Sequence, residues 1–198
     1  MCVPGVGISG WTGPAIGEPS EHNGVVVEFV VFSLPSLIYL AVRRRDAEAR
    51  ATLGLVGTTA SGWLLGLAVA VVSLALGWAA TLPVPAEILH GPGTAGRIVG
   101  VVSGFMVVLR AVGEEILFRG FLQGIVARRW GAFAGIVVQG VAFWLPHLML
   151  LTITGALVPL VIAQFAIGLL FGWLRHRTGS IAPGAAAHAL PNVIMGLV

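Results

Sequence analysis

Glu114 and Glu115 are neighbouring carboxylates inside a long apolar stretch, and Arg119 follows four residues after the second. An ionised side chain in hydrocarbon costs about 2.5–3.5 kcal/mol on insertion scales, so charges placed there need a partner or a function. On a helix, Glu115 and Arg119 stand at i and i+4 with the acid first, the favourable order for an ion pair. Glu114 points about 100° away around the same helix, toward a different neighbour. The spacing predicts one carboxylate tied to arginine and the other left for chemistry. Arg110, four residues before Glu114, offers a competing arrangement in which it neutralises Glu114 and leaves Glu115 free. The more natural pairing of Glu115 with Arg119 favours Glu114 as the working acid.

Two further segments carry polar groups where hydrocarbon is expected. Phe143-Trp144-Leu145-Pro146-His147 sets an aromatic ring and a histidine four residues apart, and His188-Ala189-Leu190-Pro191-Asn192 does the same for a histidine and an amide. Each histidine has a proline beside it, and proline removes a backbone donor and kinks a helix. Non-helical backbone at membrane depth is tolerated where it lines a cavity, so kinks and polar groups together predict a wet pocket. Taken singly, each feature has a plainer reading. The Glu–Arg motif serves as a buried structural pair, an intramembrane histidine bonds between helices for about 0.6 kcal/mol, Phe143 packs, and Asn192 joins helices. What favours chemistry is the recurrence of such groups on three separate apolar segments. His22, His90 and His176 fall in polar surroundings and are read as solvated.

The elements that must position these groups are membrane helices. The chain is 57% hydrophobic with a mean hydropathy of +0.98, and only 10% of its 198 residues are charged, against about 25% in soluble domains. Six apolar segments are expected, at about 24–42, 62–82, 97–127, 132–151, 157–174 and 181–198, since about 20 residues cross a bilayer. The third is longer than one crossing needs and is expected either to tilt or to bend near Gly113 or Gly120 and run out along the interface. The chain is thus read as an all-α polytopic bundle of about six spans: a disordered tail at 1–23, two helices with their loops at 24–96, and a catalytic bundle at 97–198. Arginine clusters at 43–45, 128–129 and 175–177 follow alternate segments, which the positive-inside rule assigns to the cytoplasm. Both termini then lie outside.

Composition also excludes other classes. Lysine is absent and every basic residue is arginine, which with the Gly, Ala and Val content suggests a GC-rich bacterial genome. The net charge of +3 resides in the topological clusters, with no basic stripe of interleaved aromatics, so nucleic acid is not a partner. Cys2 is alone, which removes an intramolecular disulfide or thiolate metal cluster.

In order and spacing the three motifs resemble those of the CAAX prenyl protease and bacteriocin-processing family of intramembrane endopeptidases, also called the Abi family. Glu114-Glu115 to Arg119 is similar to its EExxxR motif, Phe143 to His147 to FxxxH, and His188 to Asn192 to HxxxN, led in by Gly179-Ser180-Ile181 and Pro183. The resemblance covers roughly 97–195 and implies peptide-bond hydrolysis at a lipid-bounded site in the cell membrane, on a membrane-associated peptide or protein. It implies Glu114 as the general base, His147 sharing the water or metal, and His188 and Asn192 binding a metal or the oxyanion. Glu115 and Arg119 would hold Glu114 in place, and Phe143 would support them. A divalent metal such as zinc on Glu114, His147 and His188, or a metal-free glutamate and histidine mechanism, are both compatible, since no HExxH forces a metal. For a bacterium, leader trimming or anchor removal is expected rather than cleavage of a prenylated chain. The alternatives are a non-catalytic scaffold or immunity protein of the same fold and, less consistently, an ion-coupled transporter. Counting along the helices at about 1.5 Å per residue sets His147 further across the bilayer than His188, with Glu114 between them.

Overall fold

The computed structural model describes residues 19–89 and 98–197; most of the expected tail and the stretch 90–97, with His90 and Arg97, lie outside them. The described chain is all helical. Helix α1 covers Pro19–Val42, α2 Ala49–Thr52, α3 Ala60–Thr81 and α4 Ala86–Leu89. Then come α5 at Val101–Glu114, a π-helical turn at Glu115–Leu122, α6 at Gln123–His147, α7 at Val158–Thr178 and α8 at Ala182–Leu197. Helix α1 starts at Pro19, so the last residues assigned to the tail are helical.

Four helical runs are long and apolar enough to cross a membrane: His22–Val42, Ala60–Thr81, Val101–Thr152 and Gly155–Thr178. The chain is a multi-pass membrane protein, but six spans are not what it shows. Helix α8 has 16 residues, about 24 Å at 1.5 Å per residue, against a hydrocarbon core of about 30 Å. The run Val101–Thr152 is also not one straight rod. Gly131 has φ 86° and ψ 166°, a conformation open essentially to glycine alone, and there the chain reverses. As one rod, Phe118 and Phe143 would lie about 37 Å apart; their ring centroids are 5.4 Å apart. A Cβ on Gly135 would stand 2.9 Å from that of Ala127. Residues equidistant from Gly131 therefore face each other, 127 with 135 and 119 with 143. The π turn occupies the stretch where a bend was expected, near Gly113 and Gly120, and both glycines serve close approach. A Cβ on Gly113 would reach Phe29 at 3.2 Å and one on Gly120 the Leu53 carbonyl at 3.2 Å.

Helix α1 lies parallel to α5 and the π turn. Phe32 meets Phe118 edge-on at 6.2 Å, Ser36 Oγ donates to the Ile116 carbonyl at 3.4 Å, and Tyr39 meets Phe121 at 6.5 Å. Parallel packing brings the arginine clusters that follow these helices to one end. Arg128 reaches the Asp46 carboxylate and the Tyr39 hydroxyl, both at 3.3 Å, and Arg175 donates to the carbonyls of Ala51 and Thr52 at 3.0 and 3.1 Å. One basic end is what a common cytoplasmic face requires.

The apolar core joins α3, α7 and α8 through Val69, Ala70, Ile167, Phe171, Leu174 and Ala187. Helix α7 stops at Gly179, whose left-handed φ of 70° suits a residue without a Cβ and whose amide bonds to the Arg175 carbonyl at 3.0 Å. Beyond it, Ser180 Oγ donates to the Val56 carbonyl at 2.7 Å and Ile181 N to Gly54 O at 3.0 Å. This strap fixes where α8 begins, and so which turn of it carries His188.

Candidate active site

The Glu-Glu motif straddles the junction of α5 with the π turn, Glu114 ending one and Glu115 opening the other. A π turn is wider than an α turn and forfeits regular i to i−4 bonding, so such turns collect at functional sites. Glu115 is 1% and Arg119 0% exposed, and Arg119 Nη1 donates to Glu115 Oε1 at 2.9 Å. Burying two charges is costly unless their remaining sites are satisfied. The Arg119 guanidinium lies 4.2 Å from the Phe143 ring centre and 5.2 Å from that of Phe171, and Nη2 donates to the Gly168 carbonyl at 3.3 Å. Cation–π contact and the carbonyl replace water around the charge.

Helix α8 brings His188 to the same carboxylate. His188 Nδ1 lies 3.0 Å from Glu115 Oε1 and Nε2 3.7 Å from Glu114 Oε2. A carboxylate paired with arginine accepts, so Nδ1–H is the donor, and Nε2 is the nitrogen turned toward Glu114. Gly184, one turn before His188, makes the approach possible: a Cβ there would sit 3.1 Å from Glu115 Oε2. The two acids thus differ in the way their spacing predicts. Glu115 is fully enclosed by Arg119 and His188, while Glu114 is 18% exposed and faces His188 without a direct hydrogen bond. Arg110 does not neutralise Glu114. Its Nε donates to Glu28 Oε2 on α1 at 2.8 Å, which leaves Glu114 without a direct arginine partner.

Helix α6 supplies the aromatic bridge. Phe143 is buried and its ring lies 4.8 Å from that of His147 and 6.0 Å from that of His188. Both histidine rings pack against Phe143. His147 Nδ1 is 2.9 Å from the Phe143 carbonyl. A carbonyl only accepts, so Nδ1 holds the proton and Nε2 carries the free lone pair. Asn192 stands one turn beyond His188, half-buried, with no side-chain hydrogen bond among the described residues.

Sequence reasoning missed the layer behind this site. Gln139, fully buried, donates to the Gly168 carbonyl at 2.9 Å, sharing that acceptor with Arg119, and Gln123 donates to the Gly172 carbonyl at 2.7 Å. Gly172 lies directly against the Gln139 amide. Phe171 also packs on His188, with ring centroids 5.3 Å apart. The signal was present as four-residue steps, Glu115-Arg119-Gln123 on one arm of the hairpin and Gln139-Phe143-His147 on the other. A cavity of about 230 Å³ lies at the basic end, lined by Thr52, Gln123, Arg128, Arg175 and His176, about three turns from Glu114 along the helix.

Among the described residues no three His, Cys, Asp or Glu side chains are grouped so as to hold a metal ion. Glu115 Oε1 is already shared by Arg119 and His188, and the one hydrogen bond of His147 is to the Phe143 carbonyl of its own helix. As the side chains stand, the donor set among the described residues does not fit a metal.

A family model described as type II CAAX prenyl endopeptidase Rce1-like matches residues 98–194. That stretch includes all three motifs, the π turn and the Gly131 reversal, and leaves out α1 and α3. No curated protein and no solved structure matches the chain. Through residues 98–194 the chain belongs to the Rce1-like type II CAAX prenyl endopeptidase family, the CPBP or Abi group.

Proposed function

We propose that this protein is an intramembrane endopeptidase that hydrolyses a peptide bond of a membrane-associated peptide or protein, with Glu114 as general base. The observation that carries the reading is the inequality of the two acids. Glu115 is sealed from solvent and shares Oε1 between Arg119 and His188, whereas Glu114 keeps a partly exposed carboxylate 3.7 Å from a histidine nitrogen. Glu114 takes a proton from water and the hydroxide adds to the scissile carbonyl carbon. The carbon–nitrogen bond then breaks, and the departing amine receives the proton that Glu114 took from water, directly or relayed through His188 Nε2, which faces Glu114. Burial away from bulk water strengthens each of these interactions. Glu115 and Arg119 position His188, and so the proton-carrying edge of the site. Asn192 and the free Nε2 of His147 contribute polar atoms toward the substrate carbonyl or the water.

This chemistry needs no metal; zinc on Glu114, His147 and His188 would require these side chains to regroup. Dialysis against a chelator is expected to leave turnover unchanged, and loss restored by zinc alone would replace this mechanism with a metal-assisted one. In the bilayer the basic end is assigned to the cytoplasm, with lipid around α1 and α3. The substrates proposed are leader peptides or membrane-anchored segments. Purified protein should cleave a quenched-fluorophore membrane peptide, and Glu114→Gln should abolish cleavage while preserving the fold. If the protein is a scaffold of the same architecture, with the buried Glu115–Arg119 pair as its purpose, Glu114→Gln leaves its cellular phenotype intact.

A further inference from the structure

The antiparallel packing of α6 on α7 follows a regular register, which singles out a residue that none of the three motifs contains. Gln139 lies against Gly172, and a Cβ on Gly168 would stand 3.0 Å from the Phe143 ring. These pairs, 139 with 172 and 143 with 168, step by four residues in opposite directions, one helical turn at a time. The next step pairs His147 with Gln164. Contacts on either side of that position agree: Trp144 Nε1 donates to the Val161 carbonyl at 2.9 Å, and the Trp144 ring lies 5.3 Å from that of Phe165. Gln164 also belongs to the stripe Val161, Gly168 and Gly172 that α7 buries against the hairpin.

The two earlier rungs spend their polar groups on structure. The Gln139 amide and Arg119 share the Gly168 carbonyl, and Gln123 holds the Gly172 carbonyl. At the third rung neither group is spent. Among the described residues the Gln164 side chain has no hydrogen bond, and His147 uses only Nδ1, on its own helix. Gln164 is half-buried, so its amide is shielded from bulk solvent without being sealed into the core. Of the two groups already named for the oxyanion, both on α8, His188 is bonded to Glu115 and Asn192 is unspent; Gln164 adds an amide from α7, on the side of His147.

We infer that the Gln164 side-chain amide donates a hydrogen bond to the scissile carbonyl oxygen of the peptide substrate, across from His147. This rests on the proteolytic reading above. A donor aimed at the developing oxyanion and unspent beforehand costs no reorganisation during the reaction, and loss of one such donor lowers kcat by about 10²–10³-fold.

The test uses full-length protein and a quenched-fluorophore peptide that wild type cleaves and Glu114→Gln does not. Gln164→Met keeps the length and removes the donor. It should lower kcat about a hundredfold with KM and melting temperature little changed. Gln164→Glu keeps the shape and replaces the donor with a carboxylate that repels an oxyanion. Its activity relative to wild type should rise as pH falls, because the protonated acid donates again, and a purely structural role would not produce this pH-dependent ratio. Wild-type kcat in both variants, or equal loss in both at every pH, overturns the role given to Gln164 and leaves the Glu114 mechanism standing. Absence of any Glu114-dependent cleavage overturns the proteolytic reading and this inference with it.

Discussion

Among the described residues the apolar helices hold two acid–arginine pairs, and they are built in opposite ways. Glu115 and Arg119 are 1% and 0% exposed, on one turn of one helix, with two aromatic rings and a carbonyl around the guanidinium. Glu28 and Arg110 join two helices, and their side chains are 30% and 52% exposed. Similar distances, 2.9 and 2.8 Å, therefore describe different physics. The buried pair depends on every group around it, because removing one partner strands an uncompensated charge. The open pair can replace a lost partner with water or a lipid headgroup. The comparison also explains why Glu114 is available. Each arginine near it in sequence, 110 and 119, is committed to another carboxylate.

The largest effect expected from breaking this contrast is at the buried pair. Arg119→Met should lower stability by about 3–5 kcal/mol, read as a fall in thermal unfolding midpoint in detergent. Glu115→Leu added to it should recover much of the loss, since replacing a whole buried pair by apolar residues is often neutral. Loss no smaller in the double variant would mean that Glu115 is not Arg119's counter-charge. Next come the glycines that let the pair be enclosed. Gly131→Ala forces a non-glycine residue into the reversal and should cost about 1–3 kcal/mol. Gly172→Ala drives a methyl group into the Gln139 amide behind Arg119 and should cost about 1–3 kcal/mol by overpacking. Unaltered unfolding in both would show that the hairpin does not depend on that turn or that close approach. The open pair should matter less: Arg110→Ala should change stability by about 0–1 kcal/mol. An effect as large as that of Arg119→Met would remove the distinction between the pairs.

The smallest effect expected lies in the loop at the basic end. The Glu48 amide and then Arg128 hold the Asp46 carboxyl below the usual carboxylate range. A depressed folded-state pKa contributes stability above the unfolded-state value and loses it as pH falls through the folded-state value. Asp46→Asn should therefore differ from wild type at neutral pH and merge with it in acid, as unfolding midpoints measured across that range would show. A difference that persists in acid would assign the effect to packing.

These particulars also separate what local spacing encodes from what it does not. Glu115 with Arg119 could be read from i and i+4, and the reversal lies at Gly131, between the arginine pair that closes the third segment and Ala132, where the fourth was expected to begin. Both are properties of neighbouring residues. The Glu28 partner of Arg110 lies 82 positions away, and only the parallel packing of α1 on α5 brings it there. The Gly168 and Gly172 carbonyls that hold Arg119, Gln139 and Gln123 are backbone atoms, which side-chain identity does not announce. Of the six expected segments, the third and fourth are the two arms of the run Val101–Thr152 that reverses at Gly131, and the sixth, α8, at 16 residues, falls short of the length that the other runs reach.

The central claim is that Glu114, and not its neighbour, performs the chemistry. It is tested most directly by comparing Glu114→Gln with Glu115→Gln for both turnover of a quenched membrane peptide and unfolding midpoint. The account predicts that Glu114→Gln abolishes turnover at a wild-type midpoint, while Glu115→Gln lowers the midpoint and with it the amount of active protein. Turnover that survives Glu114→Gln, or the reverse assignment of the two phenotypes, would contradict it.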